Sequence, residues 1–253
     1  MKNINNRLIF MGISLGAALV IWFLLMAVAD FAKPTGGFGT IIRILGGTFG
    51  GYIQMLTIAG FILGLLELNE KERFIEKQRE GFGFNLLPTE DQLVLTPDEI
   101  GNIKLNVLNL EKRGISSLIS TFIKKACTQF RNEESVSDTL QVFDAQVNTQ
   151  REEMEGQLEI VRYLLQAISS LGFIGTVMGL SIAIGMGDQA KTEQGMAAIT
   201  TNLNVAFDTT IVALLLGLVL TYRYHSYLEQ LDTFFSQTKS YILDNLISRI
   251  YKG

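Results

Sequence analysis

The chain has 253 residues, 48% of them hydrophobic, with a formal net charge of −4 and a mean hydropathy of +0.29. So weak an acidic balance, with no basic patch mixed with aromatics, excludes nucleic acid as a partner. The single cysteine, Cys127, excludes an internal disulfide and reads as a small apolar residue on a helix.

The apolar surplus is clustered. Residues 8–29, 44–66 and 163–187 carry no charge, and from Gln194 to Tyr222 the only charge is Asp208. A helix needs about 20 apolar residues to cross about 30 Å of hydrocarbon. Four transmembrane helices are therefore predicted. Span 1 covers about 8–29. Lys2, Arg7 and Ala27-Val28-Ala29 imitate a signal peptide, but the run of about 22 residues exceeds the 7–15 of such a core. An uncleaved anchor is expected. A short outer loop follows, with Asp30, Lys33-Pro34 and Gly36-Gly37. Span 2 covers about 42–66, and its small-xxx-small pairs 46/50, 47/51 and 60/64 permit close helix packing.

A charged helix continues to about Glu80, where Gly81-Phe82-Gly83-Phe84 and Pro88 break it. That stretch lacks the spacing of a phosphate-binding loop and reads as a turn. Thr96-Pro97-Asp98-Glu99 starts a helix that ends near Gly114. A second runs from about Ser116 to Arg131, and Ser135-Val136-Ser137-Asp138 starts a third. Leu140, Phe143, Val147, Met154, Leu158 and Val161 then recur at roughly helical spacing. One helix of about 75 Å is expected over 138–187. Span 4 begins near Gly195 and continues past Tyr222 into an amphipathic tail marked by Leu228, Leu231, Phe235, Ile242, Leu246 and Ile250. His225 sits at the membrane edge with no partners for a metal site.

Lysine and arginine set the expected orientation. Residues 1–7 hold two, 67–160 hold eleven, Arg162 adds one and 223–253 hold four, so 18 of 21 fall on one side of four alternating spans. The others are Lys33, Arg43 and Lys191, in or beside the two short connections. The N-terminus, the large loop and the C-terminus should be cytoplasmic.

Spans 3 and 4 carry the chemistry. Leu171-Gly172-Phe173-Ile174-Gly175-Thr176-Val177-Met178-Gly179-Leu180 and Ala206-Phe207-Asp208-Thr209-Thr210-Ile211-Val212-Ala213-Leu214 set hydroxyls among small residues in long apolar runs. Such groups are costly in a membrane and mark ion paths or helix contacts. The face through Thr176 carries Ser169, Gly172, Gly179, Ala183 and Gly187; the face through Thr210 carries Ala206, Ala213, Gly217 and Thr221. Each is a smooth stripe with a threonine in it. Both threonines lie about 16–18 Å below the outer surface. They can form one polar ring in an oligomer, or bond back to their own helices. Asp208 is about 200° around the helix from Thr210 and cannot share its face. It points to a neighbouring subunit or to span 2, where Gln54 and Thr57 are polar. Its role as an ion-path acid or as a structural hydrogen-bonded group stays open.

These residues resemble the MotA/TolQ/ExbB family of ion-driven motor subunits. Gly172-Phe173-Ile174-Gly175-Thr176-Val177-Met178-Gly179 is similar to the family's G-x-x-G-T-V-x-G, and Ala206-Phe207-Asp208-Thr209-Thr210 to its A-L/F-x-x-T stretch. The resemblance is specific over about 165–222. It implies a homopentamer in a bacterial inner membrane around two copies of a single-span partner of MotB, TolR or ExbD type. The partner's membrane aspartate takes up the ion, and ion passage turns the pentamer around it. Thr176 and Thr210 would line the path, with Thr209 and Asp208 beside it. Four spans resemble MotA, whereas TolQ and ExbB have three. No proline follows Pro97, and the membrane glutamate of ExbB falls on Val205.

The expected fold is an all-α integral membrane protein with a helical cytoplasmic domain and long pore helices extending into the cytoplasm. Its parts are a transmembrane hairpin (1–66), the cytoplasmic domain (67–162), a pore-forming hairpin (163–222) and a cytoplasmic C-terminal helix (223–253). The expected function is passage of H⁺ or Na⁺ down its gradient to do mechanical work. The sequence shows no HExxH, no GxSxG and no Cys/His cluster, so neither catalysis nor a cofactor is expected. The rivals are a non-conducting membrane scaffold and a solute carrier, and the inverted repeats of a carrier are absent.

Overall fold

The computed structural model describes residues 2–32, 36–47, 51–88 and 94–250. Lys33-Pro34 of the expected outer loop and Gly50 of the 46/50 pair lie outside them. Helices are α1 (Lys2–Ala32), α2 (Gly36–Ile44), α3 (Tyr52–Arg79), α4 (Pro97–Lys112), α5 (Leu118–Glu133), α6 (Val136–Gly156), α7 (Glu159–Gly185) and α8 (Glu193–Asn245). Among the described residues the only β pairing is an isolated bridge between Leu95 and Ile250. Among the described residues four helical runs are long and apolar enough to cross a membrane: Arg7–Phe31, Tyr52–Phe84, Val136–Gly185 and Glu193–Arg249. The protein is all-α, as its sequence predicts.

The chain divides into two compact units, Met1–Asn69 with Glu159–His225, and Glu70–Leu158 with Ser226–Gly253. In the second unit, side chains fix the helix starts. Thr96 and Glu99 form a capping box at α4, with Pro97 in the first turn. Accepting hydrogen bonds from Thr96 holds the exposed Glu99 carboxyl below its ordinary range. Ser117 caps α5, and Ser135 accepts from the Asp138 amide at α6. On α5, Ile119, Phe122, Ile123, Ala126, Cys127 and Phe130 are buried at the i, i+3, i+4 spacing of one helix face. Phe122 stands edge-on to Phe143, 6.3 Å between centroids, and contacts Phe235 of the tail at 6.5 Å. The tail stripe is buried at Leu231, Phe235, Ile242, Leu246 and Ile250. Exposed pairs Arg151–Asp232 and Lys239–Asp144 flank it and add little.

Two expected helices are interrupted. Residues 138–187 do not form one helix: α6 ends at Gly156, α7 begins at Glu159, and the Leu158 amide bonds back three residues to the Glu155 carbonyl, not four. Gly156 is where the helix is weakest, and the fully buried Leu158 anchors the jog. Because α7 stops at Gly185, Gly187 lies past the helix and off its stripe. Span 2 does not begin at 42. α2 closes on a glycine turn in which the Gly46 amide bonds the Arg43 carbonyl at 3.0 Å and the Gly47 amide bonds the Ile42 carbonyl at 2.9 Å. Gly46 has φ +99°, and a side chain there would meet Cβ of Gln54 at 3.0 Å, so only glycine fits. Gly46, Gly47 and Gly51 therefore do not lie on a spanning helix. The 60/64 pair does: a Cβ on Gly60 would touch Ile168 at 3.5 Å, and one on Gly64 would meet Leu220 at 2.7 Å.

Candidate functional site

The stripes on α7 and α8 lie against each other within one chain. A Cβ added to Gly172 would fall 2.5 Å from Cβ of Ala213, and one on Gly179 would fall 2.6 Å from Cβ of Ala206. Gly175, between them, is closed by the side chain of Thr209. Near the cytoplasmic end predicted for these spans, a Cβ on Gly217 would sit 3.9 Å from Oγ of Ser169. The alternation of three and four residues keeps these small groups on one side of each helix, so the backbones approach closely along the whole contact. Ala183 is buried on the same face of α7. Within one chain these faces are covered at Gly172, Gly179, Ala183, Ala206 and Ala213 and left partly open at Thr176, Thr210 and Gly217.

Thr176 and Thr210 meet in the middle of this ladder, at one level, with their hydroxyls bonded to each other. Thr176 Oγ1 also lies 3.2 Å from the Ala206 carbonyl and 3.3 Å from that of Gly172, and Thr210 Oγ1 donates to the Gly172 carbonyl at 3.0 Å. Each hydroxyl therefore reaches a carbonyl of the opposite helix, where the residue opposite is too small to shield it. Two hydroxyl protons are shared among three contacts, the two cross-helix carbonyls and the bond between the hydroxyls, so two of the three are made at a time. Both threonines are partly exposed, and a hydroxyl accepts through two lone pairs. The pair can therefore accept from water or coordinate a small cation while it stays bonded across the hairpin.

The other two expected ion-path residues sit elsewhere. Thr209 is 1% exposed, packs on Gly175 and donates to the Ala206 carbonyl at 2.8 Å; its place is in the helix contact. Asp208 is 3% exposed and faces away from the threonine pair, toward the 42–66 segment. Its partner there is neither Gln54 nor Thr57 but Arg43 of α2, with Nε 2.9 Å from Oδ2 and Nη2 3.4 Å from Oδ1. Thr57 bonds its own helix at the Ile53 carbonyl, 2.8 Å away. The sequence carried a signal for Arg43: it is the only charge between Lys33 and Glu67, and Asp208 the only one between Glu193 and Arg223. A lone cation and a lone acid in apolar runs are natural partners.

The MotA/TolQ/ExbB proton channel family matches residues 115–239. Over this segment the chain belongs to that family. The segment holds both threonines, the whole Gly172–Gly217 ladder and Asp208. MotA/TolQ/ExbB proteins form a channel family and not an enzyme class, and the four apolar helical runs are those of a multi-pass membrane protein. No curated protein and no solved structure matches the chain.

Proposed function

We propose that this chain is the channel subunit of an ion-driven motor in a bacterial inner membrane. Five copies enclose two copies of a partner with one membrane helix, and the partner's aspartate carries H⁺ or Na⁺ past the Thr176–Thr210 pair. Passage of the ion turns the pentamer around the partner. The observation that supports this reading is the hydroxyl pair: two threonines at one depth, bonded across a seam of small residues, inside a segment that matches a proton channel family. The closure of the small faces within one chain favours a second reading, a scaffold that only assembles helices. Native mass spectrometry and flux separate the two. Five copies with two partner copies, and uptake that needs the partner and a gradient of H⁺ or Na⁺, are expected. A stable monomer or dimer in mild detergent, or a pentamer that passes neither ion with its partner, counts against the motor.

The orientation proposed from the lysine and arginine asymmetry has its own test. Outside labelling should modify Gly37→Cys and Gln189→Cys and miss Glu133→Cys and Gln237→Cys. Native Cys127 supplies no background, because it is 1% exposed and burial pushes its thiol up to about 12. Only about one thiol in ten thousand is then ionised at pH 8, and the thiolate is the reactive form. Labelling of Glu133→Cys from outside would reverse the topology.

A further inference from the structure

We propose that Arg43 is a positioning residue for the ion path: through Asp208 it sets the roll of α8 that turns Thr210 toward α7. The proposal rests on the ion-path reading of the threonine pair. Three observations carry it. The first is that Arg43 is held from behind. It lies in the last turn of α2, whose end is closed by the amides of Gly46 and Gly47, and its neighbour Ile42 is 4% exposed. A cation also suits this helix end, where the dipole is negative.

The second is the form of the contact. Nη2 of Arg43 donates to Oδ1 of Asp208 at 3.4 Å, and Nε lies 2.9 Å from Oδ2 as an ion pair without the alignment of a hydrogen bond. One hydrogen bond and a close charge contact, made to the two oxygens of one carboxylate, narrow the directions that Asp208 can take. The third is the place of Asp208 on α8. It lies two residues before Thr210, about 200° away around the helix. α8 is therefore gripped on nearly opposite sides, by Arg43 at Asp208 and by the small face of α7 at Thr210, about half a turn further on. Rolling the helix to move Thr210 off Thr176 would pull Asp208 from Arg43.

The two partners are not equivalent. The Asp208 side chain is 5% exposed and that of Arg43 is 40% exposed. Without Arg43 the carboxylate is left buried and unpaired, and it either takes up a proton or draws α8 toward water. Without the carboxylate, Arg43 still reaches its open side. Removal of the cation should therefore disturb α8 more than removal of the acid.

The test reads the roll of α8 directly. Ser169→Cys with Gly217→Cys places two thiols across the α7–α8 seam within disulfide reach. Oxidative cross-linking is measured beside partner-dependent flux, with native mass spectrometry as the check on assembly. Arg43→Gln is expected to lower the cross-linking rate at least fivefold and flux at least tenfold, and Arg43→Lys should keep most of both. Arg43→Gln with Asp208→Asn removes the unpaired charge and so separates loss of the contact from the cost of a buried charge, and its cross-linking should still fall below that of the parent. Parental cross-linking in Arg43→Gln, or in that double variant, overturns the positioning role and leaves the ion-path reading untouched. A fall in cross-linking with unchanged flux supports the positioning role and overturns the ion path through the threonines.

Discussion

Thr210→Val and Thr176→Val are each expected to cut partner-dependent ion flux by about tenfold while the assembled complex survives. Valine keeps the size and branching of threonine and removes only the hydroxyl. An intramembrane hydrogen bond contributes about 1–2 kcal/mol, and a barrier change of that size is roughly five- to thirty-fold in rate. If the complex is a pentamer, the loss is repeated in every copy. Because the two hydroxyls bond each other, the double valine variant should cost less than the product of the single losses. Thr→Ser at either site should preserve most of the flux. Asp208→Asn, on the far side of α8, should give a weaker defect. Full flux in both valine variants, with transport abolished by Asp208→Asn in an intact complex, would move the ion path to Asp208.

Gly172→Ala should destabilise the α7–α8 hairpin by about 1–3 kcal/mol, the range for overpacking a close contact. The added methyl would lie 2.5 Å from Cβ of Ala213, with Cα of Thr210 at 3.4 Å behind it. The first neighbour is a methyl that substitution removes, and the second is backbone that no substitution relieves. Ala213→Gly alone should also cost about 1 kcal/mol through glycine's backbone freedom. Combining the two moves one methyl across the seam and should recover more stability than either change predicts. The thermal midpoint of the detergent-solubilised protein is the measurement. A double variant as unstable as the sum of its parts would show that residues 172 and 213 are not opposed.

The sequence already held the number of spans, because charge-free runs of this length have few other uses. It also held the two small faces, because spacings of three and four residues put Gly172, Thr176 and Gly179 on one side of any helix. What it left open is what covers a face. Periodicity identifies the smooth side of α7, but a neighbouring helix and a neighbouring subunit are equally good covers on that evidence, and the structure supplies the helix. The Arg43–Asp208 pair was hidden by distance along the chain, since no local rule joins residues 165 positions apart. The breaks after Ile44 and at Gln157 turn on glycines, which tolerate a helix and its end alike. The caps at Thr96 and Ser135 are local devices and were readable as such, whereas the helix expected from about Ser116 is capped by Ser117.

The zip of glycine and alanine between α7 and α8 has a geometric corollary. With methyl-sized groups in contact at Gly172 and Gly179, and the Thr209 side chain closing Gly175, no file of water molecules fits through the middle of this hairpin. One copy is a wall, not a tube. On the proposed reading, an ion that passes the threonines travels along the outside of that wall, on the side where both are partly exposed. Conduction then belongs to a boundary between surfaces, and a boundary opens or shuts whenever one surface slides over the other.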